Sequence, residues 1–113
     1  MPFIRTTTNK TLDAKKKTEL KELYGKLIEK LPGKSEQWLM LAVEDGKYMA
    51  FRGDEAPCAM VEVDLLGSAS GTAKDAMTEA VCDKVGELLG IPSERIYVKY
   101  MEFSVWGNNG FNF

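Results

Sequence analysis

This 113-residue chain contains no histidine, and this absence is its first chemical feature. Histidine is the commonest general base and the commonest metal ligand in proteins, since its pKa lies near neutrality. If the chain is an enzyme, its base must therefore be a carboxylate, a lysine, a tyrosine, a cysteine or the N-terminal amine. Cys58 and Cys82 have no companion ligands nearby, so we expect no zinc site and two reduced thiols, although a disulfide between them stays open.

Composition and charge bound the class of protein. The formal net charge is −2, and 44% of the residues are hydrophobic, which is ordinary for a globular protein. Lysines 15–17 begin an amphipathic helix and are followed by Glu19 and Glu22, which predicts a solvated helix face and no nucleic-acid partner. No run approaches the ~20 apolar residues of a membrane span, and the N-terminal residues do not resemble a signal peptide. We therefore expect one domain over residues 1–113, cytoplasmic and without membrane insertion.

Hydrophobic patterning predicts the strands that must position any site. Runs of β-branched or alternating apolar residues are typical of strands, and they occur at residues 3–8, 37–43, 48–51, 59–65 and 95–101. The run at 37–43 is apolar on both sides, as is typical of a strand that is covered on both faces. Helices on one side of a sheet leave its other face open, so we expect a symmetric oligomer to cover that face.

Two amphipathic helices separate the predicted strands. Thr11 is the expected N-cap of the first helix, which should end at Pro32-Gly33. Thr72 and Asp75 resemble a capping box at the start of the second helix, and Gly90 should end it.

The two halves of the chain share a sequence pattern. Residues 31–41 align with residues 89–99, so that Glu36 matches Glu94. A single duplication of this length indicates two fused units rather than a solenoid. It predicts an α+β fold in which two pseudo-symmetric βαβ units form a four-stranded mixed sheet with two helices on one face.

Seven segments spread over the chain resemble the macrophage migration inhibitory factor family of tautomerases. They are residues 1–4, 32–34, 49–53, 55–59, 66–67, 94–98 and 106–113. Each segment alone would be weak, but together they cover the chain with matching spacing. The resemblance implies a homotrimeric tautomerase-like protein with pockets at its subunit interfaces. It also implies a cofactor-independent isomerase of the phenylpyruvate tautomerase or L-dopachrome isomerase type.

The resemblance assigns roles to three residues of the expected pocket. Removal of Met1 would expose the amine of Pro2, which would act as general base once burial and lysine charge had lowered its pKa. Without the resemblance, a proline that begins an edge strand needs no function. Lys34 matches a lysine that binds the substrate carboxylate, and Leu66 matches a residue whose backbone N–H donates to the substrate.

The remaining expected pocket residues are mostly aromatic. Tyr97 matches a tyrosine that a neighbouring subunit contributes, whereas Lys99 departs from the asparagine often found at its position. Lys99 could stabilise enolate charge, favour a different acid or turn outward. The expected aromatic wall is formed by Phe3, Trp38, Trp106 and Phe113, although aromatic residues on strands are as often core residues. The implied substrate is a small aromatic 2-oxo acid such as phenylpyruvate, with no cofactor and no metal.

The family resemblance also leaves an alternative function open. Some of its members are secreted, cytokine-like proteins, so the alternative is a signalling protein with a vestigial tautomerase pocket and a cell-surface receptor. Such relatives leave cells without a signal peptide, so secretion by that route is compatible with the sequence. Decarboxylation or hydrolytic dehalogenation would need further pocket arginines, and Arg5, Arg52 and Arg95 are not obviously placed for this.

Overall fold

The computed structural model describes residues 1–113, and its centre is one four-stranded sheet. The strands β1 (Pro2–Thr8), β2 (Met40–Glu44), β3 (Ala59–Leu66) and β4 (Ile96–Phe103) lie in the order β2-β1-β3-β4. β1 is parallel to β2 and β3 is parallel to β4, whereas β1 and β3 are antiparallel. The mixed sheet of two βαβ units that the internal duplication predicts is therefore confirmed.

Two helical segments form the second layer. Helix α1 (Ala14–Leu27) continues into a 3₁₀ turn at Ile28–Lys30. Helix α2 (Gly71–Ala80) runs without interruption through a π-helical segment (Val81–Val85) into α3 (Gly86–Leu89). Both βαβ crossovers place their helices on the same side of the sheet, as expected. Neither helical segment combines the length and the hydropathy of a bilayer-crossing helix.

The hydrophobic core lies between these helices and one face of the sheet. Ile4 and Thr6 of β1 point into it beside Val61 and Val63 of β3, because alternate residues of a strand share a face. The hydroxyl groups of Thr6 and Tyr24 lie 2.5 Å apart and join the sheet to α1. Burial raises the pKa of Tyr24 far above its usual value, so the phenol stays neutral. The intervening residues of each strand face the other way, onto a sheet face that no helix covers.

Both predicted helix caps are wrong by two residues. Asp13, and not Thr11, caps α1, because its carboxylate accepts the backbone N–H three residues later at 2.8 Å. Ser70, and not Thr72, caps α2 by the same kind of hydrogen bond at 3.1 Å. Several cap-forming side chains stand side by side at both starts, and only the backbone angles decide which one lies just outside the helix. Gly90 ends the second helical segment with a φ of 70°, as predicted.

The predicted strand at 37–43 begins too early. Residues Glu36–Trp38 form a 3₁₀ turn, and β2 begins only at Met40. β2 pairs with β1 alone, so it is an edge strand, and none of its residues is buried within the chain. The apolar run therefore marks a surface that is open in one protomer.

The other differences concern the 45–58 loop and the C-terminal strands. The predicted strand at 48–51 is wrong, and the segment has only an isolated bridge between Phe51 and Asp54. β4 runs from Ile96 to Phe103, two residues beyond the predicted end. A small hairpin follows, with strands β5 (Gly107–Asn108) and β6 (Phe111–Asn112).

Candidate active site

The N-terminal end of β1 meets the end of β3 and a loop lysine. The backbone N–H of Leu66 donates to the carbonyl oxygen of Met1 at 3.1 Å. That carbonyl belongs to the peptide bond whose nitrogen is the nitrogen of Pro2. Lys34 Nζ donates to the carbonyl oxygen of Leu66 at 2.8 Å. Three residues that the sequence assigns to one pocket, namely Pro2, Lys34 and Leu66, therefore lie together at one end of the sheet.

Local backbone geometry explains why these residues meet. Pro2 is buried at the first position of β1 and aligns with Leu65, where its missing N–H is tolerated. Gly33 has a φ of 79° and turns the chain back after the 3₁₀ turn that follows α1, so that Lys34 approaches the sheet. Gly67, with a φ of 80°, turns the chain directly after Leu66. The two glycines thus bring both partners of the N-terminus to the same place.

Lys34 also acts electrostatically on the N-terminus. Burial, followed by the charge and hydrogen bonding of Lys34, lowers the pKa of the Met1 amine below its ordinary value of 8.0. While Met1 is attached, the nitrogen of Pro2 is an amide nitrogen and has no basic lone pair. An amine at Pro2 would lie one residue further into the sheet, at a position that is buried in this structure.

Tyr97 lies at the opposite end of the sheet from Pro2 of the same chain. Along β3, Pro2 aligns with Leu65, whereas Tyr97 aligns with Met60. At about 3.3 Å per residue, this stretch of strand separates them by roughly 17 Å. The Tyr97 side chain is 56% exposed on the open face of the sheet. Tyr97 can therefore approach a Pro2 only in another copy of the chain.

Lys99 lies on the same open face, within a row of alternating charges. Its Nζ is 3.3 Å from Glu62 Oε1, and Glu62 Oε2 is 3.1 Å from Arg5 Nε. Arg5 in turn lies 3.9 Å from Glu44. The pair of Arg5 and Glu62 is held by charge, because the Nε–H does not align with an acceptor. Within one chain, Lys99 therefore points away from the helices and is paired with a carboxylate.

Two of the predicted wall aromatics line a shallow apolar hollow on the open face. Phe3 and Trp106 share it with three residues that the sequence analysis did not single out: Met40, Asp64 and Phe103. The rings of Phe103 and Trp106 meet edge to face, with centroids 5.9 Å apart. Strict alternation along β3 and β4 is the signal that could have identified Asp64 and Phe103, because both fall on the face opposite the buried residues.

The other two predicted wall aromatics are more exposed. Trp38 is 51% exposed on the 3₁₀ turn two residues before Met40, which aligns with Phe3. It therefore lies at the same end of the sheet as Pro2. The backbone N–H of Phe113 donates to the carbonyl oxygen of Trp106 at 2.9 Å, and its ring is 55% exposed. One protomer thus gathers these aromatics at one end of the sheet without enclosing a pocket.

The cysteines form no disulfide and, together with the acidic residues, no metal-binding cluster. Cys58 is a buried free thiol and Cys82 is a half-buried one. No group of three or more histidine, cysteine, aspartate or glutamate side chains is arranged so that it could hold a metal ion.

Comparison with known proteins gives one consistent result. The family model described as macrophage migration inhibitory factor matches residues 1–112. A macrophage migration inhibitory factor from Xenopus laevis is 28% identical over 99% of this chain and 96% of its own length. Among solved structures, Leishmania major MIF2 is 35% identical with a TM-score of 0.93 and covers 100% of this chain and 97% of its own. A homologue from Prochlorococcus marinus is 34% identical with a TM-score of 0.86 and covers 98% of each chain.

Proposed function

The chain belongs to the macrophage migration inhibitory factor family, and on this basis we propose that it is a keto–enol tautomerase whose general base is the amine of Pro2 after removal of Met1. Family membership supports a tautomerase-type function, and the fold suggests isomerase activity. One observation supports Pro2 as the base: the peptide bond between Met1 and Pro2, the Lys34 side chain and the backbone of Leu66 lie together at one end of the sheet.

The Met1 carbonyl oxygen serves as a stand-in for a substrate oxygen. It accepts a hydrogen bond from the Leu66 N–H at 3.1 Å, and Lys34 Nζ donates a hydrogen bond to the carbonyl oxygen of Leu66. Removal of Met1 takes this acceptor away and leaves a backbone donor facing the space beside the Pro2 nitrogen. A buried donor without an acceptor is costly, so a substrate carboxylate or carbonyl oxygen that replaces Met1 gains binding energy there. The ammonium group of Lys34 supplies the matching positive charge.

The proposed reaction removes a proton from a carbon atom of the substrate and adds a proton to its keto oxygen. The neutral Pro2 amine removes a proton from the carbon next to the keto group of an aryl 2-oxo acid, and the electron pair moves onto the keto oxygen. The enolate oxygen is stabilised by the Tyr97 hydroxyl and the Lys99 ammonium group of a neighbouring subunit. It then takes a proton from solvent, and the Pro2 ammonium group returns to solvent the proton that it removed. The reverse sequence converts the enol to the keto acid. The aromatic residues Phe3, Trp38, Trp106 and Phe113 would bind the aryl ring and exclude water.

The proposed pocket is completed between subunits of a homotrimer. Its support is the separation of Pro2 from Tyr97 along β3 and the uncovered sheet face on which Tyr97 and Lys99 lie. Members of this family are typically oligomeric with a small-molecule site. Sedimentation or light scattering of the purified chain tests the trimer directly, and a monomer at micromolar concentration would contradict it.

The decisive experiment combines N-terminal analysis with a turnover assay. Mass spectrometry should show loss of Met1, and the processed protein should interconvert phenylpyruvate tautomers. Pro2→Ala should lower kcat/KM by about 100-fold or more, because general acid–base catalysis contributes about 10²–10⁴-fold. Pro92→Ala is the matched control, since Pro92 is exposed near the opposite end of the sheet. Unchanged turnover in Pro2→Ala, or full turnover by protein that keeps Met1, would exclude Pro2 as the base.

A receptor-binding role is the second candidate, and the names of the curated relatives favour it. The Xenopus laevis relative is named macrophage migration inhibitory factor, and a protein of that type would act outside the cell. The test is a cellular response to added protein whose N-terminus is blocked. A response that persists without turnover would support signalling, and a response lost together with turnover would support catalysis.

A further inference from the structure

One arginine ties the loop between β2 and β3 to the start of β4. The Arg95 side chain donates to three backbone carbonyl oxygens of this loop: from Nε to Pro57 at 2.9 Å, from Nη1 to Phe51 at 3.3 Å and from Nη2 to Ala56 at 3.0 Å. Nη2 also lies 2.9 Å from Asp54 Oδ1, and only 11% of the Arg95 side chain is exposed. All three guanidinium nitrogens are therefore engaged by a single loop.

A tight turn then fixes the direction of the Phe51 side chain. Phe51 and Asp54 exchange two backbone hydrogen bonds of 2.9 and 3.1 Å. Between them, Arg52 and Gly53 have φ angles of 53° and 80°, the signs that a type I′ turn requires. The guanidinium carbon of Arg95 lies 5.2 Å from the centroid of the Phe51 ring. The ring is thus held between its own turn and the arginine that ties the loop down.

Phe51 in turn contacts the residue expected to complete a neighbouring pocket. The rings of Phe51 and Tyr97 meet edge to face with centroids 4.8 Å apart and an angle of 81° between their planes. Tyr97 is more than half exposed, and its strand forms the edge of the sheet, so few other contacts restrict its rotation. Arg95 and Tyr97 are also two residues apart in the chain, so the arginine is anchored to the backbone beside the residue that it supports.

We propose that Arg95 and Phe51 are positioning residues, which hold the Tyr97 ring so that its hydroxyl points toward the Pro2 pocket of a neighbouring subunit. The inference rests on the proposed function, and it adds two residues that do not touch the substrate. Arg95 is thereby assigned to the support of the loop, since each of its three guanidinium nitrogens is already engaged by that loop. The effect on turnover must pass through the Tyr97 hydroxyl.

A double-mutant cycle tests this path. Phe51→Leu keeps an apolar side chain but removes the ring contact, whose usual strength corresponds to about a two- to tenfold fall in kcat/KM. In the Tyr97→Phe background, the same substitution should change kcat/KM by less than about twofold, because the hydroxyl it orients is gone. Tyr48→Leu is the matched control, because Tyr48 is 80% exposed on the same connection and the ring that packs against Tyr97 is that of Phe51. An equal loss in both backgrounds, or no loss in either, would overturn the proposal.

A second measurement does not depend on turnover. In protein with ring-labelled tyrosine, the Tyr97 signals, assigned with Tyr97→Phe, should move in Phe51→Leu and in Arg95→Lys as the ring contact and the loop ties are lost. They should not move in Tyr48→Leu. Unchanged Tyr97 signals in Phe51→Leu would overturn the proposal even if turnover fell. If the parental chain shows no turnover, the proposed function is wrong. The Tyr97 ring signals then test by themselves whether Phe51 and Arg95 hold the Tyr97 ring.

Discussion

The ammonium group of Lys99 lies 3.3 Å from a carboxylate oxygen of Glu62, one strand away on the uncovered face of the sheet. Glu62 is shared, because its other oxygen lies 3.1 Å from Arg5. The carboxylate therefore separates two cations that would otherwise face each other across β3. This arrangement accounts for a lysine at a position where the family resemblance leads one to expect an asparagine.

Glu62→Gln should lower the free energy of unfolding by about 2 kcal/mol or less, because the two pairs it removes are partly exposed and each is of the class usually worth about 0–1 kcal/mol. The loss should shrink when Lys99→Asn is combined with it, since one of the two cations is then gone. Urea unfolding monitored by tryptophan fluorescence measures the loss in Glu62→Gln and the loss in the double variant. Glu79→Gln, at an exposed glutamate on α2, serves as the control, and an equal loss there would show that Glu62 has no special role.

Lys34→Ala should raise the KM for phenylpyruvate by about tenfold or more, because a charge-assisted hydrogen bond contributes about 1.5–3 kcal/mol. Lys34→Arg should restore part of this binding, since it keeps the positive charge. Initial rates over a range of substrate concentrations separate KM from kcat. A KM that stays unchanged in Lys34→Ala would remove Lys34 from carboxylate binding.

The pH profile of turnover should report the lowered pKa of the N-terminal amine. Burial and Lys34 disfavour the ammonium form in the structure that carries Met1, and the same causes act on an amine at Pro2. Since only the neutral amine accepts a proton, kcat/KM should rise with pH through a midpoint below that of an exposed amine. Lys34→Ala should move the midpoint upward, because one cause of the lowering is lost. A midpoint that moves downward would contradict this electrostatic assignment.

Acid should destabilise the fold partly through Glu102. The backbone N–H of Ala69 and then Lys74 lower the pKa of Glu102 from its usual 4.5. A carboxylate with a lowered pKa in the folded state stabilises the fold above its unfolded pKa, and this contribution disappears as the pH falls through the folded pKa. The free energy of unfolding should therefore fall less steeply below pH 4.5 in Glu102→Gln than in the parental chain. Equal slopes in urea titrations at several acidic pH values would exclude this contribution.

Much of the fold follows from local patterns in the chain. Alternation predicts β1 and β3 closely, helical spacing predicts both helices, and the duplicated segment predicts how the two βαβ units combine. The errors fall where several local solutions have similar energy. Asp13 and Thr11 are both good caps, and the apolar residues before Met40 suit a strand as well as they suit a 3₁₀ turn. Such choices are decided by contacts with parts of the chain that are distant in sequence.

Site residues could be predicted from the sequence only where their identity matches a motif of the family. Pro2, Lys34 and Leu66 were named from the family resemblance, and the sheet register brings them together. Asp64 and Phe103 were missed because alternation places them on the open face of the sheet but does not tell which residues of that face line a hollow. The contact between Arg95 and the loop carbonyl oxygens could not be predicted, because backbone acceptors leave no trace in the sequence.

The amino-acid sequence by itself determined the family, the order of helices and strands, and the residue types available for chemistry, because these depend on local spacing and on side-chain identity. The tertiary structure alone decided that Lys34 Nζ binds the carbonyl oxygen of Leu66, that Lys99 is paired with Glu62, and that Arg95 binds the loop before β3. These relationships depend on strand register and on glycine turns, which bring together atoms that are separated by dozens of residues.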